Sequence, residues 1–204
     1  KAGNFKDAYE GLRRLALDPQ TDPLKVGDDL TAAVQCLQRL NRANELDDFL
    51  AAAIKVHAKN WRLLWAAARN YQSIQHQGFL VAGKFHRGQH RGGGRYVNAQ
   101  PRDRVRALQL LVEAMPLANR DENHSAVAEF YTFLAQTLLS QRGYHEAWRL
   151  QYLTDLKTLP DYEEGYQWRG GGSQGAPVDE QGKPVFYSVP KSWEAAENDG
   201  QRWR

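Results

Sequence analysis

Gly3-Asn4-Phe5-Lys6-Asp7-Ala8-Tyr9-Glu10-Gly11-Leu12-Arg13-Arg14-Leu15-Ala16-Leu17-Asp18-Pro19 is the stretch whose reading decides the fold class. A small turn residue leads to an aromatic at Phe5, an alanine follows three positions on, and Asp18-Pro19 stops the pattern because proline cannot continue a helix. A near copy starts at Gly143, where Tyr144 and Ala147 lead into Leu150, Leu153, Leu156 and the terminator Leu159-Pro160. One helical unit at both ends of a region marks an α-solenoid, since such a unit cannot cover its own apolar face and must stack on a neighbour. The surface of a stack of this kind usually holds another polypeptide and rarely hosts bond-breaking chemistry.

Both stretches resemble the second helix of a tetratricopeptide-type repeat, and apolar spacing of three and four recurs through most of the first 160 positions. The expected fold class is therefore all-α, with tetratricopeptide-like antiparallel helical hairpins, about seven helices, and a short irregular or β-hairpin tail. The first helix runs from Phe5 to Leu17. The second begins after Asp28 or Asp29, either of which can cap it, and carries Leu30, Ala33, Val34, Leu37 and Leu40. The third takes Leu46 to His57, and the fourth takes Trp61, Leu64, Trp65, Ala68 and Tyr71. Within that fourth helix Leu64, Ala67, Ala68 and Tyr71 give the large, small, small, aromatic order that lets a partner helix approach closely. A fifth starts at Pro101, a sixth near Glu122, and a seventh after Arg142-Gly143. The domain reading is a repeat-like helical domain over 1–162, with a Gly/Arg/His-rich insertion at about 78–100. A Gly-rich linker and hairpin-like tail over 163–204 lead to further domains.

With 42% hydrophobic residues, six Trp and nine Tyr in 204 positions, the chain has the composition of a globular protein with a real core. No apolar run reaches the roughly 18 residues that span a bilayer, and no basic-then-apolar signal segment opens it. It starts with Lys and stops on Gln-Arg-Trp-Arg, which gives the expectation of a piece of something longer. A single cysteine, Cys36, excludes an internal disulfide framework and a cysteine-based zinc knuckle, and beside Val34 and Leu37 it reads as a small buried hydrophobe.

The sharpest local feature is basic. Between Lys84 and Arg106 seven positive side chains face one negative, a balance of +6 in a chain of net +3, which leaves −3 for the rest. Five glycines between Gly83 and Arg95 forbid a stable helix there, each costing about 1 kcal/mol relative to alanine. Lys84, Phe85, His86, Arg87, His90, Arg91, Arg95 and Tyr96 form the candidate interaction loop, because arginine with glycine and aromatics can track phosphates and stack on bases. The plainer reading, favoured because only one short stretch carries the charge, is a solvated loop or one docked on an acidic surface of the parent protein. Nucleic acid is the less favoured partner.

No chemistry gathers elsewhere. His86 and His90 have the spacing of two metal ligands on a helix, yet Gly88 and its neighbours break that helix and no carboxylate or cysteine completes the set. Gly92-Gly93-Gly94 lacks the strand before it and the Lys-Ser/Thr after it that a nucleotide loop needs. Glu163-Glu164 and Asp47-Asp48 are neighbours that point about 100° apart on a helix and cannot share a substrate. Ser125 beside His124 has no third partner. Trp61, Trp65, Phe130, Tyr131 and Trp148 stand at helical spacing and read as core. The expectation is thus no enzyme, no catalytic residue, no cofactor and no metal.

Two strings carry a resemblance. Gly175-Ala176-Pro177-Val178-Asp179-Glu180-Gln181-Gly182-Lys183-Pro184-Val185-Phe186-Tyr187-Ser188-Val189-Pro190, with Ser192 to Ala196 and Asp199 to Arg204, resembles the segment before the macroglobulin domains of long bacterial alpha-2-macroglobulin-like proteins. Phe85 to Gly94 is similar to a loop in their helical N-terminal region. The resemblance implies a periplasmic protease inhibitor whose β-sandwich domains do the trapping, some with a thioester and bait region. Cys36 in Gln35-Cys36-Leu37-Gln38 is no thioester motif. The present chain would then be a non-catalytic scaffold that positions the inhibitor body or recruits envelope proteins, reaching target proteases only through other domains of the parent. The alternatives are a free-standing tetratricopeptide-like peptide-binding adaptor and an RNA-binding module using the Arg/Gly loop.

Overall fold

A computed structural model of the chain describes residues 4–140, 149–165 and 179–204. Among these residues lie six helices of eleven residues or more: α1 Phe5–Leu17, α2 Val26–Arg39, α3 Leu46–Val56, α4 Trp61–Ser73, α5 Gln100–Ala118 and α6 His124–Leu139. A short α7, Asp199–Trp203, lies in the tail. Four strands, β1 Gln77–Val81, β2 Lys84–Arg87, β3 Arg95–Asn98 and β4 Glu163–Glu164, form an antiparallel sheet in the order β2-β1-β3-β4. The fold is helix-rich and mixed, and the all-α expectation is corrected by this sheet. The structure divides into two compact units, 1–121 with 160–166 and 122–159 with 167–204.

In the first unit α1 packs on α2, α2 on α4, and α4 on α5. Leu30, Leu37, Leu50, Leu63, Leu64, Leu108 and Leu111 are fully buried in this unit, each contributing about 1.5–3 kcal/mol of apolar burial. Cys36 is buried and free, as its neighbours imply. Gly27 makes the α2–α4 approach possible: a Cβ there would meet Ala66 Cβ at 3.1 Å and the Arg62 carbonyl at 3.2 Å. Helix starts are set by asparagine. Asn4 accepts from Asp7 N, Asn60 from Arg62 N and Leu63 N, and Asn123 from Ala126 N, each satisfying amides that the first turn leaves without partners. The expected cap at Asp28 or Asp29 is not used. Helix α2 starts earlier, at Val26, and both aspartates lie in its first turn, where their charge complements the helix dipole.

The segment expected as an insertion is folded into strands. Val81 pairs with Lys84, so Ala82 and Gly83 alone turn the chain, with φ of 47° and 81°. Two successive positive φ values are the type I′ geometry that matches the twist of paired strands. Glycine adopts this freely, and Ala82 accepts it at some cost.

In the second unit α6 buries Phe130, Leu134, Thr137 and Leu138. The seventh helix expected after Gly143 falls partly outside the described residues, as do Tyr144, Ala147 and Trp148. From position 149 only one 3-10 turn forms, and 152–160 is irregular. There Asp199 accepts from Thr154 N at 3.0 Å and from the Thr154 hydroxyl, while Asp199 N donates to Tyr152 O at 3.0 Å. The turn expected at Asp179–Gly182 is present, with Gly182 N on Asp179 O at 3.0 Å and Asp179 N on Lys183 O at 2.9 Å. The strand expected at 176–178 and the joint at 170–175 lie outside the described residues. Of the aromatics expected to hold the tail, Tyr187 rests against Gly200 and Trp193 stacks with Arg202, but Phe186 is 92% exposed. Among the described residues no helix is long and apolar enough to cross a membrane.

Candidate functional site

Of the eight residues of the basic segment, the six on β2 and β3 are separated by the strand pleat, because successive side chains of a strand point to opposite faces, and His90 and Arg91 lie between the two strands. Phe85 and Arg87 fall on one face of β2 and His86 on the other. Arg87 is 2% exposed and is the largest fully buried side chain. Its guanidinium is gripped from three sides: Nε and Nη2 donate to Asp47 at 3.1 and 2.7 Å, Nη1 and Nη2 to Asp103 at 2.8 and 2.9 Å, and Nη1 also to the Gln75 carbonyl at 2.6 Å. All five N–H donors of the fork are thereby used. Burial alone would lower the guanidinium's affinity for its proton; the bonds to Asp103 and Asp47 more than reverse this, so its pKa is raised. Asp103 in addition lies 2.7 Å from His76 Nδ1, which donates to it. The cluster ties α3, β2, α5 and the α4–β1 connection together.

Phe85 shares this inner face. Its ring lies over Gly78, stacks on Tyr162 at 4.9 Å between centroids, and receives the Arg87 guanidinium at 5.2 Å. Tyr162 carries Arg102 on its far side at 4.4 Å, and Arg102 Nη1 donates to Pro160 O at 2.6 Å. On the opposite face Phe79 sits opposite both His86 and Tyr96. Tyr96 is 5.3 Å from the Phe79 ring and also packs on Gly165, while His90 folds back to within 4.6 Å of His86. The structure thus brings His86 and His90 together, with no third His, Cys, Asp or Glu joining them among the described residues. Two imidazoles alone do not make a closed metal site. Lys84, Arg91 and Arg95 are exposed.

A second site was not singled out by sequence reasoning. A groove of about 560 Å³ opens where the α1–α2 turn, the α3–α4 turn and the end of α5 meet. Pro19, Pro23, Leu24 and Val56 supply its apolar walls, with Leu24 65% and Val56 39% exposed. Its walls are held by hydrogen bonds between distant parts of the chain. Asn60 Nδ2 donates to Pro23 O at 2.8 Å, Trp61 Nε1 donates to Asp121 at 2.9 Å, and Arg62 grips the same carboxylate with both terminal nitrogens. His57 lies buried at its base; burial lowers its pKa below the ordinary imidazole value, opposed in part by a backbone hydrogen bond at Ala16 and by Asp18. Lys55 and Lys59 stand on the rim, exposed. The signal for this site in the sequence was the pair of loop prolines Pro19 and Pro23 facing the helix-capping Asn60.

Of the aromatics read as core, Trp61 and Phe130 are buried, while Trp65 and Tyr131 are half-buried. No family model, no curated protein and no solved structure matches this chain.

Proposed function

We propose that this chain is a non-catalytic helical scaffold of the tetratricopeptide-like kind, a module of a periplasmic alpha-2-macroglobulin-like protease inhibitor that positions the inhibitor body or recruits envelope proteins. The observation that carries the scaffold reading is the close packing of helix on helix: α1 on α2, α2 on α4 through Gly27 and Ala66, and α4 on α5. Close approach through small residues is how repeat helices build one continuous core and leave an outer wall for protein contact. Leu64, Ala67 and Ala68 of α4 are fully buried and Tyr71 nearly so, in the order such packing requires. The link to the inhibitor family rests on the resemblance of the Gly175 to Arg204 and Phe85 to Gly94 strings alone.

The basic segment supports protein scaffolding more readily than RNA binding. Arg87, which an RNA-binding loop would present to phosphate, is enclosed by Asp47 and Asp103. The test is association. The purified chain should co-elute in gel filtration with the macroglobulin domains of a bacterial alpha-2-macroglobulin-like protein, and chelators should leave that complex intact. Failure to associate with those domains would remove the inhibitor reading, and turnover of a casein substrate that persists through repurification would remove the scaffold reading as well.

A further inference from the structure

We infer that the groove between the α1–α2 and α3–α4 turns is a docking site for an acidic polypeptide segment carrying aliphatic side chains. The groove has the volume of a ligand site, about 560 Å³, within the range in which such sites fall. Its walls are apolar and its rim is positive. Lys55, Lys59 and Arg62 line it against a single carboxylate, Asp121. That carboxylate is already committed to Arg62 and the Trp61 indole, so it does not offset the two lysines. Asp18 and Asp22, in the same α1–α2 turn, accept from Gln20 N and Leu24 N and do not line the groove. Neither Lys55 nor Lys59 forms an ion pair among the described residues.

Two features make this a built surface and not a chance hollow. Leu24 and Val56 are among the few large apolar side chains left open in this unit, and both face one depression. The turns that carry them are joined by the Asn60 to Pro23 hydrogen bond, so the walls hold their spacing before anything binds. An occupant pays less ordering cost on such a surface than on free loops. An acidic segment matches the rim, and an aliphatic side chain matches the space between Leu24 and Val56. A strand-forming or helical partner is not required.

This inference rests on the scaffold reading, and its test is separate from the gel-filtration experiment above. Three fluorescein-labelled peptides would be titrated into the whole chain by polarisation: one of aspartates and glutamates with two leucines, one with both leucines replaced by serine, and one with lysine in place of each acid. Only the first should bind. The Lys55→Glu/Lys59→Glu variant should weaken it about tenfold or more, whereas Lys6→Glu/Arg13→Glu, the same charge change on exposed α1 positions, should leave it unchanged. Leu24→Ser, at a site too exposed to threaten folding, should also weaken it. Absence of binding by the first peptide overturns the inference. Equal binding of the serine peptide, or equal loss in the α1 variant, overturns it too, because attraction would then follow net charge alone. A labelled single-stranded oligonucleotide that competes for the groove would reassign it to nucleic acid. Loss of groove binding with the sandwich-domain complex intact would reject this site and keep the scaffold.

Discussion

Arg87 in β2 and Lys55 and Lys59 at the α3–α4 turn belong to the same compact unit and carry the same charge, yet one is enclosed and the others are open. Arg87 has given every donor to Asp47, Asp103 and a carbonyl, and its charge ties α3, α5 and the α4–β1 connection to the sheet. The lysines have no such commitment, and the walls around them are held by other bonds. The difference teaches that a count of basic residues measures neither availability nor purpose. What decides is whether carboxylates meet the cation inside the fold, where a paired charge is structural and an unpaired one is costly.

The largest expected effect comes from breaking the enclosed half. Arg87→Ala leaves Asp103, 4% exposed, as a buried carboxylate facing only His76, and should cost about 3–5 kcal/mol of unfolding free energy in urea titration. Lys55→Ala and Lys59→Ala should stay within about 0.5 kcal/mol of the parent. A loss at Arg87 no larger than about 1 kcal/mol, the usual effect of a point mutation, would mean that the cluster is solvated and the contrast is false.

A second effect sharpens the same half through pH. Tyr71 is buried beside this cluster, and burial first, then the charge of Asp47, pushes its phenol up to about 12 from an ordinary value near 10. A raised pKa in the folded state means that the unfolded chain releases the proton first as pH rises. The stabilisation is therefore complete below about pH 10 and is lost progressively towards pH 12, amounting in total to roughly 2–3 kcal/mol. Tyr71→Phe removes this one titration, so the parent's urea midpoint should fall relative to the variant's as pH rises across that window. A difference that stays constant with pH would show that Tyr71 reaches solvent.

Much of the helical part was legible. The Phe5 to Leu17 pattern gives α1 with those ends, because an aromatic-alanine face and an Asp-Pro stop each act locally. The sheet was not legible: its strands are two to five residues long, and its hairpin turns on Ala82-Gly83 without the Asn-Gly or Asp-Gly pair that announces such turns. The glycines between Gly83 and Arg95 exclude a helix, but they do not tell a strand from a loop. The seventh helix, expected after Gly143, lies partly outside the described residues, and its described continuation over 152–160 is irregular. There Leu153 is 47% exposed, the Thr154 amide donates to the Asp199 carboxylate, and the Asp155 carboxylate accepts from Lys157 N, local bonds that compete with helical ones. At the candidate site, Arg87 and Arg91 look alike in sequence, both beside glycine. The one available clue is Asp103, the sole acid in the basic run, and its pairing with Arg87 depends on a sheet whose short strands leave little local signal.

The smallest effect tests the open half. Asn60 caps α4 through its side-chain oxygen and ties the α1–α2 turn through its side-chain nitrogen, so two substitutions can separate these roles. Asn60→Ala removes both and should cost about 1 kcal/mol, the usual worth of a helix cap. Asn60→Asp keeps the accepting oxygen and loses the donor to Pro23 O, so it should retain most of the stability while loosening the groove. The acidic, leucine-bearing peptide would then bind more weakly to Asn60→Asp than to the parent even though urea unfolding changes little. If instead both variants bind it as the parent does, the turns are positioned by packing alone, and the bond to Pro23 has no part in shaping the surface that leaves Lys55 and Lys59 free.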